Sequence, residues 1–158
     1  MKFQRILIGI DDTKYSRHAA EYGFGLAHKY KAVVALVNIV EPVIMPQTND
    51  PSMLGAFIPS FGVENVEIEH IQEDNSKKLL DDIAATLGAG IEVTHYNQMG
   101  SKADSIISIA NEFKADLIVL GTHKRTGLDR LLMGSVSEHV LRHSPVPVLV
   151  VPTDEEKA

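Results

Sequence analysis

The 158-residue chain contains no cysteine and no tryptophan. Without cysteine there is no disulfide framework, no zinc–thiolate site, no thiolate nucleophile and no thiolate-held iron–sulfur cluster. Such a composition suits a reducing compartment, and a cytoplasmic location is expected. Long apolar runs are missing as well. Nothing approaches the roughly 18 residues of a membrane span, so no membrane partner is expected. The opening stretch Ile6–Ile10 is too short for a signal peptide and runs straight into Asp11 and Asp12. Excess positive charge is also absent. Fifteen basic against twenty-one acidic residues leave −6, which argues against a general nucleic-acid partner. What is present is the composition of a globular protein, 44% hydrophobic and 23% charged. A chain of this length can bury roughly 68–70% of its unfolded surface. One domain over residues 1–153 with a charged tail at 154–158 is expected.

The negative charge is concentrated. Seven acids between Glu64 and Asp82, against Lys77 and Lys78, make that stretch −5. A solvated helix face explains it. A shorter segment, His123 to Arg130, is locally basic through Lys124, Arg125 and Arg130. On charge alone this is a solvated loop; beside a cleft it could hold a small anion.

Hydrophobic patterning predicts alternating strands and helices. Ile6–Ile10 and Ala32–Val40 are unbroken apolar runs, as buried strands require. Between them Ala19, Ala20, Gly23, Leu26, Ala27 and Tyr30 follow helical spacing, with Thr13 or Ser16 as the cap. Residues 41–63 hold four prolines and two glycines among apolar side chains. They are expected to form a long, mobile loop packed on the body. A helix over 66–87 should face inward through Ile68, Ile71, Leu79, Ile83 and Leu87, stopping at Gly88 and Gly90. Residues 91–98 alternate as an edge strand does. Ser101 should cap a helix carrying Ala103, Ile106, Ile107, Ala110 and Phe113. Leu117–Leu120 is a buried strand that Gly121 is expected to end. A helix over 134–143 and a last strand over 146–151 complete the pattern, with Pro147 suited to an edge. The order β-α-β-loop-α-β-α-β-α-β means an open five-stranded parallel sheet with helices on both faces. In such sheets ligands sit beyond the carboxyl ends of the strands.

Two such ends stand out. One is Asp11, whose plainer reading is a turn or helix-capping carboxylate. The other is Gly121-Thr122-His123-Lys124-Arg125-Thr126-Gly127, followed after six residues by Gly134-Ser135-Val136-Ser137 opening a helix. A helix N-terminus offers unpaired N–H groups and the positive end of the dipole, which suits phosphate. Glycine allows close backbone approach, and Ser135 and Ser137 add hydroxyls. The segment is neither a G-x-x-x-x-G-K-[ST] loop nor a G-x-G-x-x-G fingerprint.

These residues resemble the universal stress protein family. The resemblance runs over almost the whole chain. It rests on the first strand with Asp11-Asp12-Thr13 and Ser16, and on Gly134-Ser135-Val136-Ser137-Glu138-His139-Val140 followed by Pro145–Val151. Nucleotide-binding members of that family carry Gly, two residues, Gly, nine residues, Gly, then Ser or Thr. Gly121, Gly134 and Ser135 occupy three of those positions, and Lys124 stands where the second glycine would be. The resemblance implies a Rossmann-like sheet of order 3-2-1-4-5 and a site for ATP or another adenine nucleotide, with magnesium as an optional companion. It places Asp11 at the ribose or base, Gly9 where the backbone passes the base, and the Ile39 backbone against adenine. Read without the resemblance, Ile39 is simply core. Residues 121–127 and 135–137 would hold phosphates, with Lys124 either supplying a charge or obstructing. Replacing Gly121 or Gly134 by Val is then expected to abolish binding with the fold intact. The resemblance further implies a homodimer paired through Val146–Val151, in a stress-response regulatory protein. No residue is placed as a general base, so at most slow ATP hydrolysis is expected.

Other constellations are weaker. His139 and His143 sit at i, i+4 without the H-E-x-x-H pattern or a third ligand, so surface histidines are expected rather than a metal site. Asp11-Asp12 alone is slight support for magnesium. No G-x-S-x-G elbow occurs. Two rival functions remain open at this point. One is a nucleotide-free interaction module in which Lys124 fills the phosphate site. The other is a small nucleotidyl-transfer or hydrolase enzyme on the same frame.

Overall fold

A computed structural model of the chain describes residues 2–42, 64–123 and 134–153, with the side chains of 64–69 left aside. The order is β1 (Arg5–Gly9), α1 (Lys14–Tyr30), β2 (Val33–Val40), α2 (Glu64–Leu87), β3 (Val93–Met99), α3 (Lys102–Phe113), β4 (Leu117–His123), α4 (Ser135–His143) and β5 (Val148–Thr153). The sheet order is β3-β2-β1-β4-β5, parallel throughout. The predicted α/β architecture and strand order are therefore what the chain adopts. The predicted loop of 41–63 lies outside the described residues from 43 onward.

The apolar runs become the central strands. β1, β2 and β4 are buried, whereas the alternating β3 lies at an edge and is mostly exposed. Period-two alternation splits β1 between two cores. Ile6 and Ile8 pack with Ala19, Ala20 and Phe24 of α1 and with Leu80 and Ile83 of α2. Leu7 faces the other way, toward Ile106 and Ile109 of α3 and Val140 of α4. Helices α1 and α2 thus cover one face, and α3 and α4 the other.

Several boundaries and faces differ from the sequence reading. β4 does not stop at Gly121; it continues to His123 because β5 supplies partners, Gly121↔Val151 through His123↔Thr153. β5 is correspondingly shifted two residues later than expected. Ile71 is 54% exposed, while Leu80 is buried. Ile71 precedes Leu80 by nine residues, half a turn out of phase on a 3.6-residue helix, so Ile71 falls off the inner stripe of α2, which runs through Ser76, Leu80 and Ile83 with the expected Leu79 and Leu87 packed beside it. Thr13 is the α1 cap, its hydroxyl accepting from the Ser16 N–H. Ser101 occupies the cap position of α3, but its hydroxyl donates to Asp104 Oδ2 at 2.9 Å and caps no N–H.

Candidate functional site

The chain leaves β1 toward the α1 face and β4 toward the α4 face. Adjacent parallel strands that feed opposite faces leave a crevice beyond their carboxyl ends. A cleft of about 130 Å³ opens there. Of the residues singled out in the sequence, Gly9, Asp11, Ile39, Gly121, Val136 and Ser137 line it.

Each is delivered by a different element. Asp11 follows β1 and is exposed. Its Oδ1 accepts from the Thr13 N–H at 3.0 Å and from the Thr13 hydroxyl at 2.5 Å. The turn role foreseen for this carboxylate is therefore real, and it also sets the group at the cleft. Ser16, buried in the first turn of α1, clamps the same corner. Its hydroxyl accepts from the Asp11 N–H at 3.1 Å and donates to the Asp11 carbonyl at 2.8 Å. Ile39, near the end of β2, is only 6% exposed and belongs to the core while also forming a cleft wall. With Val37, Ile106 and Leu120 it makes that wall apolar.

The polar end is built by β4 and α4. Gly134 caps α4 without a side chain, and its own N–H donates to the Thr122 hydroxyl at 3.4 Å. Ser137 is buried and its hydroxyl reaches the Gly121 carbonyl at 3.3 Å. Ser135 and Gly134 are exposed at the helix start. Thr122 and His123 do not form cleft walls; Thr122 tethers Gly134, and the His123 ring lies 4.9 Å from the Tyr15 ring. Lys124, Arg125, Thr126 and Gly127 lie outside the described residues.

The geometry corrects one expectation. A Cβ on Gly121 would collide with the main chain of Tyr15 and Ser16. Gly121 is thus required by the packing of α1 on β4 whatever binds nearby, and Gly121→Val cannot leave the fold intact. At Gly134 no heavy atom of the described residues lies within 4 Å of such a Cβ.

Lys102 was missed. It lines the cleft, and its ammonium lies 3.6 Å from Glu41. A signal was available: a lysine at the first position of a helix opposes the dipole, and such local exceptions often mark sites.

Apolar walls, a tethered carboxylate, a lysine and the opening turn of a helix make a site for a flat ligand with a polar or anionic end. The comparisons agree with the fold and show the family. The model of the universal stress protein family matches residues 2–152, and the chain belongs to that family. A universal stress protein of Methanocaldococcus jannaschii is 30% identical over 149 residues, 94% of this chain and 82% of the relative. Among solved structures, a universal stress protein in complex with cAMP superposes with TM-score 0.64 at 22% identity, covering 96% of this chain and 98% of the other. The Archaeoglobus fulgidus universal stress protein in complex with dAMP gives TM-score 0.59 at 18% identity, covering 95% of this chain and 98% of that one.

Proposed function

We propose that this protein binds an adenine nucleotide, ATP in the first instance, in the cleft between the ends of β1, β2 and β4, and acts as a cytoplasmic stress-response regulator. The observation that carries the reading is the convergence of Ile39, Asp11 and Ser137 on one cleft at the strand-order reversal. The base would lie against the apolar wall of Ile39 and Ile106. Asp11 would accept from the ribose hydroxyls. The phosphates would extend toward the first turn of α4, where backbone N–H groups and the Ser135 hydroxyl are available. That related folds carry cAMP and dAMP supports an adenine ligand. Magnesium would be held by the phosphates with Asp11 or Asp12 nearby, in keeping with its preference for phosphate and carboxylate oxygen.

The functional unit in this proposal is a homodimer paired through β5. This strand bonds to β4 on one side and lies at the sheet edge, with Val148, Leu149 and Val150 partly exposed. An apolar edge strand is a template for pairing.

Calorimetric titration with ATP, AMP and adenosine tests the binding, alongside chromatography of nucleotide released from freshly purified, denatured protein. Lys124→Ala weakening ATP more than AMP would assign a charge role to Lys124. Lys124→Gly tightening ATP would assign obstruction. Absence of binding at millimolar nucleotide in all three proteins would overturn the proposal in favour of an interaction module.

A further inference from the structure

We propose that Asn38 is a positioning residue of the cleft, which holds the Ile10 carbonyl away from the sheet so that the main-chain amide of Ile39 remains available to a ligand. The inference rests on the nucleotide reading for the ligand, but not for the main-chain geometry.

The register sets the argument. β1 and β2 pair as Ile8↔Leu36 and Gly9↔Val37, so Ile10 stands opposite Asn38. In a parallel pair one residue donates its N–H to one partner carbonyl and accepts from the amide two residues further on. Ile10 makes the first of these bonds, N–H to the Val37 carbonyl at 2.8 Å. The second would run from the Ile39 N–H to the Ile10 carbonyl. Among the described residues that rung is not formed, and Ile10 lies outside β1. The Ile10 carbonyl instead accepts from Asn38 Nδ2 at 2.7 Å. On its other edge β2 bonds to β3 through alternate residues, the Val34 N–H donating to the Glu92 carbonyl and the Val40 carbonyl accepting from the Gly100 N–H. Ile39 is out of step with those two, so its amide points toward the β1 side, past the end of that strand and beside the cleft that Ile39 lines.

Asn38 is itself held. It is 9% exposed, and its Oδ1 accepts from the Ser76 hydroxyl of α2 at 2.6 Å. That hydroxyl also lies 2.9 Å from Asn97 Oδ1 of β3, so its one proton is shared. With the Oδ1 engaged by Ser76, the amide nitrogen is the end left to face Ile10. A buried amide in the otherwise apolar VVALVNIV strand is costly unless satisfied. An aliphatic residue there would leave the Ile10 carbonyl to close the ladder onto Ile39.

The experiment compares amide exchange at Ile39, resolved by NMR in the ligand-free full chain, with ATP affinity by calorimetry. In Asn38→Leu the Ile39 amide should exchange about tenfold or more slowly than in the unaltered protein, because the ladder bond forms. ATP affinity should fall by about tenfold. Ser76→Ala, which frees the Asn38 side chain, should move both readouts the same way by a smaller factor, and Ser76→Thr should restore them. Mere weakening of the core speeds exchange, so slowing cannot arise from destabilisation. If Asn38→Leu does not fold, Ser76→Ala decides. Unchanged or faster exchange at Ile39 in the folded variants would overturn the proposal. Slower exchange in the variants of a protein that binds no ATP would support the role of Asn38 and overturn the nucleotide reading.

Discussion

Gly121 and Tyr15 meet backbone to backbone: a β-carbon on Gly121 would stand 2.5 Å from the Tyr15 carbonyl carbon and 2.8 Å from the next amide nitrogen, that of Ser16. A flexible side chain could yield, but the main chain of α1 cannot move without the turn it anchors. Ser16 grips the main chain of Asp11 from both sides, so pressure at Gly121 reaches the cleft through α1. Gly121→Ala should therefore destabilise the protein by about 1–3 kcal/mol, the usual range for overpacking. Gly121→Val should cost more. Urea unfolding curves check this, with a loss below half a kilocalorie counting against it.

Gly134 should behave oppositely. Among the described residues nothing crowds its position, so Gly134→Ala should cost under about 1 kcal/mol, as for other helix-cap changes. ATP affinity should nonetheless fall in Gly134→Val, because the branched side chain crowds the N–H groups of the α4 turn. The pair of glycines separates packing from binding. Calorimetry on folded Gly134→Val is the direct measurement.

Removing the Lys102 charge should scarcely alter stability, since its partner Glu41 is exposed and Lys102 half-exposed and such pairs contribute about 0–1 kcal/mol. Binding should respond more. Lys102→Met, which keeps the apolar stem, should weaken ATP by roughly three- to tenfold and adenosine much less, given that only ATP brings anionic charge to the cleft. The difference should shrink at high salt. Equal weakening of ATP and adenosine would show that the stem, not the charge, matters.

The phase of α2 predicts a second contrast. Leu80→Ala should cost about 2–5 kcal/mol, as truncation of a buried leucine does, because Leu80 is 1% exposed among Ile6, Ile8 and Ile83. Ile71→Ala should stay within about 0.5 kcal/mol, as at surface positions. Thermal unfolding of both variants tests the assignment.

Pairing through β5 should be sensitive to charge on its partly exposed residues. Val150→Lys should shift the protein from dimer toward monomer in sedimentation at micromolar concentration. An unaltered sedimentation profile, or a monomer before substitution, would remove β5 as the interface.

Fold class was legible in the sequence because its signals are local. Runs such as Ile6–Ile10 and Leu117–Leu120 carry burial on both faces, and the period of α3 carries its single apolar stripe. Asp11 and Ser137 could be singled out because they sit at a strand end and a helix start, which punctuation residues mark, whereas Ile39 was singled out only through the family resemblance. The inner face of α2 was legible through Leu79, Ile83 and Leu87 but not at Ile71, since Ile71 and Leu80 are equally apolar and only contact with Ile6 and Ile8 distinguishes them. Nor were the placement of Lys102 in the cleft, the two extra rungs of β4 or the reason for Gly121. Those depend on which element lies alongside: β5 extends β4, α1 excludes a side chain at Gly121, and α3 turns Lys102 into the cleft. Asn38 shows the boundary most clearly. Its polarity is plain in the chain, but its hold on the Ile10 carbonyl exists only because the register sets those two residues side by side.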